Sequence, residues 1–314
     1  MSCLVWLLTA MHQPEAGRDF ESLLSAFKAI ADAEVSKAVT KAEIRVASVA
    51  PTFHFESILL HDCTERLRDV SQGGLRYLAQ YHLFVGLATV ADSLAAVRRL
   101  VFEDQRLTMA EMVNILDLDF VGHERLREEI VHCLPKFGNN LDEVDALARR
   151  VADIAFDALE QARHPGGHLL FSALYSLYLH VPWGAELSAT PDGRRKGEPL
   201  SENQSPVHGA DQRGITALLQ SVARLPHQRT VMGGLNLLFA GQLPPEILVA
   251  TTESYFTMGG LHLGLTLVDR RILAEARQNS KQHACLCVRV TGFSEFFVSL
   301  SPEVQDDVMA RTEY

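Results

Sequence analysis

Gly292, in the run Val288-Arg289-Val290-Thr291-Gly292-Phe293, is the position with the most unusual chemistry open to it. The Cα of a glycine can hold an unpaired electron, because a flattened centre lets the amide nitrogen donate into it while the carbonyl withdraws. A Cβ would crowd that planar centre, and glycine also tolerates backbone angles that other residues avoid. One-electron chemistry of this kind lies outside the ordinary side-chain repertoire, so the protein's task would be to position and shield the radical. The other reading is a turn glycine ending a buried strand, and so short a run leaves both open.

Other residues offer more familiar chemistry. The turn Asp192-Gly193-Arg194-Arg195 carries a carboxylate and two guanidiniums, suited either to substrate contact or to a turn held by Asp caps and backbone bonding. Arg289, two positions before Thr291, can fix the glycine loop by hydrogen bonds or form a structural salt bridge. Alternation along a strand would put the sulfurs of Cys285 and Cys287 on one face, but two ligands without a further His or Cys cluster do not make a zinc site. They read as packing cysteines, and no metal is expected. His262, on an apolar run, reads as a core histidine, and Glu295 as a solvated carboxylate without a role.

These residues need elements to position them. From about Phe20 to Arg163 apolar residues recur at intervals of three and four, as in Leu23-Leu24-Phe27-Ile30 and Leu94-Val97-Leu100-Val101, which is helix periodicity. Helices are predicted over 19–49, 54–68, 88–104, 121–132 and 142–163, with turns at Gly73-Gly74 and Gly138-Asn139-Asn140. After Pro165-Gly166-Gly167 short β-rich runs alternate with helices. Strands are predicted over 174–181, 234–239, 261–268 and 284–291, and helices over 214–225, 245–255 and 269–276. A last helix opens with Ser301 as N-cap and Pro302 in its first turn. The class is α/β, with a helix-rich part over 1–164 and a strand–helix part over 165–314.

The 314 residues suffice for a substantial core, and 47% hydrophobic with 22% charged residues is ordinary for a globular protein. A net charge of -10 and a pI near 5.7 exclude a broad nucleic-acid surface, which needs clustered Lys and Arg. The apolar run Leu4-Val5-Trp6-Leu7-Leu8 has no basic leader and falls far short of the roughly 20 residues that span a bilayer, so the expectation is a cytoplasmic protein without membrane contact. Five cysteines, an odd count without paired spacings, argue against a bridged secreted protein.

The glycine run resembles the radical-bearing loop of the glycyl radical enzymes, and further segments carry the same resemblance in order. Residues 189–200 read Ala-Thr-Pro-Asp-Gly-Arg-Arg-Lys-Gly-Glu-Pro-Leu, followed by Ser205-Pro206, Gly209-Ala210-Asp211 and Gly214-Ile215-Thr216-Ala217. Upstream, Asp62-Cys63, Gly73-Gly74-Leu75-Arg76-Tyr77 and Val90-Ala91-Asp92-Ser93-Leu94-Ala95-Ala96 also fit, so the resemblance spans about 55–314. Gly197-Glu198-Pro199-Leu200 and Ser205-Pro206 favour the lyase and dehydratase branch of the pyruvate formate-lyase-like superfamily.

The resemblance implies the second half of a ten-stranded α/β barrel. It implies an anaerobic radical lyase, dehydratase or acyltransferase-type activity on a carbon-carbon, carbon-oxygen or carbon-nitrogen bond of a small molecule. Gly292 would store the radical, with Arg289, Val290 and Phe293 as loop support and Asp192 and Arg194 in a substrate or structural turn. A separate radical-SAM activating enzyme would install the radical, no cofactor would be bound, and the enzyme would be oligomeric. In the family the glycyl radical oxidises a cysteine on a second loop, and the thiyl attacks substrate. The one cysteine upstream of the matching region, Cys3 in Met1-Ser2-Cys3-Leu4-Val5, lacks the family's preceding Gly. The expectation is therefore a C-terminal portion whose thiyl cysteine comes from another polypeptide; a spare radical carrier and a truncated remnant are the alternatives. Gly264 and Thr266 stand where relatives have Gln and Asn, and Leu78 where Asn commonly follows Arg-Tyr, which would change the substrates a closed pocket accepts.

Overall fold

The computed structural model of the chain describes residues 1–49, 52–164, 167–241 and 243–314, with backbone alone over 43–49. The first part runs α1 (Cys3–Met11), α2 (Phe20–Val49), α3 (His54–Ile58), α4 (His61–Arg66), β1 (Ala79–Leu83), α5 (Leu87–Val97), α6 (Met109–Asp117), α7 (Glu124–His132) and α8 (Asp142–Gln161). The second runs β2 (Leu169–Leu174), α9 (His180–Glu186), α10 (Ile215–Ala223), β3 (Met232–Gly233), β4 (Leu235–Phe239), α11 (Pro245–Thr257), β5 (Leu263–Leu267), α12 (Arg270–Gln278), β6 (Cys287–Arg289), β7 (Ser294–Phe296) and α13 (Pro302–Ala310).

Patterning explains the helices. On α8 the buried residues Val144, Leu147, Ala148, Val151, Ala155, Ala158 and Leu159 make one apolar stripe, while Asp142, Glu143 and Asp145 sit favourably at its positive N-terminal end. A capping box between Thr108 and Glu111 starts α6. Helix α5 is buried on every side and packs on α8; α8 packs on α2, and α2 on α1. Its buried polar groups reach partners on other segments, although Asp92 Oδ2 has none among the described residues. Thr89 N–H donates to Ser201 Oγ at 3.1 Å, and Asp92 Oδ1 accepts from Phe137 N–H at 2.7 Å.

Strands β1, β2 and β3 form one parallel sheet in that order, with Ala79 opposite Leu169 and Leu83 opposite Ala173. Strands β4 and β5 form a parallel pair, and β6 and β7 an antiparallel hairpin. The mixed α/β class holds, but among the described residues the strands make three small sheets and no continuous barrel wall. The sheet joins the two parts of the chain, because β1 precedes residue 164 and β2 follows it. The break at Pro165-Gly166-Gly167 falls partly on residues 165 and 166, outside the described residues.

Several elements depart from expectation. The strand predicted over 174–181 ends at Leu174, because Ser176 N–H donates to Asn203 Oδ1 at 2.7 Å and Leu177 takes a left-handed φ of 54°. The helix predicted over 54–68 divides into α3 and α4 at the extended Leu60. The strand predicted over 284–291 shortens to β6, and Cys285 lies in the preceding turn. Both Cys285 and Cys287 are exposed, so the packing role fails: strand alternation does not extend back to residue 285. Ser301 precedes α13 without a side-chain cap bond. Among the described residues no helix is long and apolar enough to cross a membrane.

Phe84, fully buried just beyond β1, ties the sheet to the helices: its ring lies 5.9 Å from Trp6 of α1 and 6.1 Å from Phe156 of α8. Phe84→Ala removes an aromatic that bridges three elements and should lower unfolding stability by about 3–5 kcal/mol, read from the urea midpoint at unchanged slope.

Candidate active site

Gly292 lies in the turn of the β6–β7 hairpin. Arg289 pairs with Ser294, and Val290 N–H closes the turn by donating to the Phe293 carbonyl at 3.0 Å. The φ of Gly292 lies outside the left-handed region, so conformational freedom does not explain the glycine. The explanation is steric. A Cβ here would stand 2.6 Å from Tyr175 Cζ and closer still to its hydroxyl.

Buried polar groups hold the turn from beneath. Arg311 donates to the carbonyls of Arg289, at 2.6 Å, and of Val290. Asn236 Nδ2 donates to the Thr291 carbonyl at 3.0 Å, and Asn203 Nδ2 approaches it at 3.5 Å. Glu202 holds the donors together: its carboxylate lies 3.0 Å from Arg311 Nη2 and accepts from Asn203 at 3.1 Å and from Asn236. All four residues are buried. Three consecutive carbonyls ahead of Gly292 thus meet preorganised donors, which hold that stretch of backbone in place.

A second ionic cluster docks the C-terminal helix. Asp307 of α13 lies 2.8 Å from His208 Nε2 and 3.1 Å from His180 Nε2. Ser176 Oγ lies 3.1 Å from His180 Nδ1 and donates to Asn203 Oδ1 at 2.9 Å, which ties this cluster to the first. Burial pushes the Asp307 carboxyl up, but the His208 charge and the hydrogen bonds of both histidines outweigh it and hold the carboxyl well below its ordinary 3.8. Burial likewise pulls His208 down, and the attraction and hydrogen bond of Asp307 outweigh it and raise the imidazole above 6.5.

Gly292 opens onto a cavity of about 690 Å³. Its wall is formed by Tyr81 and Leu83 of β1, Tyr175 and Leu177 beyond β2, Val231, Met232 and Gly233 at β3, and Leu261 and His262 ahead of β5. His262, expected in the core, stands in this wall. Its Nδ1 lies 3.1 Å from the Gly233 carbonyl and its Nε2 3.5 Å from Arg289 Nη2, so Nδ1 carries the proton and Nε2 accepts. The Arg289 guanidinium also reaches Ser294 Oγ at 3.3 Å, and among the described residues it meets no carboxylate. Of the other loop residues, Val290 is buried and Phe293 exposed.

Gly264 and Thr266 do not line the cavity. Thr266 Oγ1 accepts from Arg289 N–H at 3.1 Å, and a Cβ on Gly264 would press on Asn236 and stand 3.1 Å from Arg289 Cγ, so both positions serve the loop. Asp192 and Arg194 stand elsewhere, at a separate cavity of about 320 Å³. Arg194 donates to the carbonyls of Glu198, Arg195 and Gly184 at 2.6, 3.1 and 3.3 Å, and Asp192 receives Ser93 Oγ at 3.4 Å; their bonds tie the turn to its own backbone and to α5. Burial lowers the Arg194 pKa. Cys3 is buried at the start of α1, and burial pushes its thiol up to about 12.

Sequence reading missed Tyr175, the Glu202–Asn203–Asn236–Arg311 cradle and the Asp307 cluster. One signal was available, the single amide of Asn236 inside the apolar run Leu235–Phe239.

Two family profiles divide the chain: "Pyruvate formate lyase-like" over residues 7–184 and "Glycine radical" over 200–298, the latter containing Gly292. This chain belongs to the pyruvate formate lyase-like family. Among curated members it is 37% identical over 274 residues to a probable dehydratase, YbiW, of Escherichia coli (strain K12), covering 82% of this chain and 34% of that protein. It is 32% identical over 265 residues to the trans-4-hydroxy-L-proline dehydratase of Clostridioides difficile, covering 82% and 33%. The glycerol-bound B12-independent glycerol dehydratase of Clostridium butyricum superposes on the whole chain with a TM-score of 0.93 at 30% identity, over 43% of its own length. The chain thus spans about a third of these curated members.

Removing one partner of the buried Glu202–Arg311 pair strands a charge. Glu202→Ala should destabilise the protein by about 3–5 kcal/mol, and hydrogen exchange should rise first in residues 287–314. The Asp307 contribution is present above 3.8 and is lost as pH falls through the carboxyl's lower folded value. That of His208 is present below 6.5 and is lost as pH rises through its raised folded value. Docking of α13 should therefore weaken at both extremes, and His208→Gln should flatten the alkaline limb of a melting-temperature profile.

Proposed function

We propose that this chain carries the radical-storing part of a glycyl radical dehydratase or lyase, with Gly292 as the residue that holds the unpaired electron. The observation that carries this reading is the Gly292 Cα itself: it faces a cavity large enough for a small molecule, at a position where Tyr175 leaves no room for a Cβ. Family membership supports the reaction class, since both curated members above are named as dehydratases.

In this reading a radical-SAM activase removes a hydrogen atom from Gly292 under anaerobic conditions. The cradle keeps the loop backbone still, while Val290 anchors the turn in the core and Arg289 braces it through Ser294 and His262. The substrate is a small molecule that loses a carbon-oxygen, carbon-carbon or carbon-nitrogen bond. The thiyl cysteine comes from polypeptide outside these residues: no cysteine is among the described residues lining the cavity, and the Cys3 thiol is closed into the helical core. The same polypeptide would complete a ten-stranded barrel, of which 165–314 supplies strands and 1–164 mostly helices, within a cytoplasmic oligomer. Exposed Tyr81, Leu177, Val231 and Leu261 on the cavity wall support a covering partner.

Anaerobic incubation with a radical-SAM activase should give a glycyl doublet in electron paramagnetic resonance, split by the remaining α-hydrogen and absent in Gly292→Ala. A complex assembled with the cysteine-bearing polypeptide that never gives the doublet would refute the assignment.

A further inference from the structure

We propose that Tyr175 is a hydrogen-atom relay for Gly292, a second redox-active residue in the same site. The inference rests on the reading of Gly292 as the radical store. An ideal Cβ marks the direction of one glycine Cα–H bond, and that bond points at the Tyr175 hydroxyl. No hydrogen bond engages that hydroxyl among the described residues, so its hydrogen is not committed elsewhere. Tyr175 also lines the 690 Å³ cavity, which places the phenol between the radical store and the space where substrate binds.

One side chain positions both partners. Asn203 Oδ1 accepts from Ser176 N–H at 2.7 Å and from Ser176 Oγ–H at 2.9 Å, which fixes the residue next to Tyr175. Its Nδ2 approaches the carbonyl of Thr291, next to Gly292, at 3.5 Å. Asn203 is fully buried and holds a left-handed φ of 43°, a strained conformation that persists because its surroundings over-determine it. The Asn203 side chain thus links two distant chain segments beside the phenol–glycine contact.

The step balances as a single hydrogen-atom transfer. The Tyr175 O–H bond breaks and a Cα–H bond forms on Gly292; the tyrosine is oxidised by one electron to a neutral phenoxyl, and the glycyl radical is reduced to glycine. The reverse transfer restores the store. The oxidant is the glycyl radical that the activase installs. Because that radical is stabilised from both flanking groups, the unpaired electron rests on Gly292 and the phenoxyl is transient.

A tyrosine analogue with a weaker O–H bond should trap it. With 3-aminotyrosine in place of Tyr175, anaerobic activation of the full chain should give an aminophenoxyl signal in electron paramagnetic resonance, with matching loss of the glycyl doublet. The same analogue in place of Tyr178, exposed and outside the cavity wall, should leave the doublet intact. An intact doublet with the analogue at position 175 overturns the relay and leaves the assignment of Gly292 standing; no doublet in the unmodified chain, assembled with the cysteine-bearing polypeptide, overturns both. Tyr175→Phe tests the same link without the analogue. Hydroxyurea, which reduces phenoxyl radicals, should quench the unmodified doublet, and that quenching should be lost in the variant; equal decay in the two overturns the proposal.

Discussion

The buried charge pair between Glu202 and Arg311 is the interaction on which the site depends. Burying two opposite charges costs desolvation, and the cost is met here because each charge has further partners: Arg311 holds two loop carbonyls, and Glu202 orients the amides of Asn203 and Asn236 toward the third. The pair therefore works less as a source of stability than as a means of specifying one geometry for the backbone ahead of Gly292. A hydrophobic replacement could fill the space but could not satisfy those carbonyls.

Around this pair the protein is unevenly held. The main core unites α1, α2, α5 and α8 with the parallel sheet, whereas the C-terminal hairpin and α13 rest on a small separate cluster formed by Leu238, Leu273, Val288, Val290, Phe297 and Val308. What joins the second to the first is largely polar: Arg311 with Glu202, Asp307 with two histidines, and Thr312 and Tyr314 with Asp211. Polar seams of this kind are directional and depend on protonation, so the docking of the segment carrying Gly292 depends on pH and on single charges.

The cavity gives the chemistry its setting. Its wall is mostly apolar, with the phenols of Tyr81 and Tyr175 and the imidazole of His262 as its polar features. The His262 ring is committed to the Gly233 carbonyl and Arg289, so it braces the hairpin and holds its proton on Nδ1. Tyr175 is different: its oxygen meets the glycine and no hydrogen-bond partner among the described residues.

Much of this was legible locally. The three-and-four spacing of apolar residues determined α2, α5 and α8, and the short β-rich runs determined β4 and β5, because these elements follow from patterns within a few turns of chain; the return strand β7 beyond Gly292 was not expected. The glycine itself stood out in the sequence, but its φ is not left-handed, and the tyrosine at another strand's end that excludes a Cβ could not be read from the residues around it. Only the tertiary structure decided that contact, the buried Glu202–Arg311 pair, the placing of Gly264 and Thr266 against the glycine loop, and that of Asp192 and Arg194 at a separate cavity. The physical reason is that local patterns report which face of an element is apolar, whereas close approaches and buried charge pairs depend on where distant segments are brought by packing of the whole core.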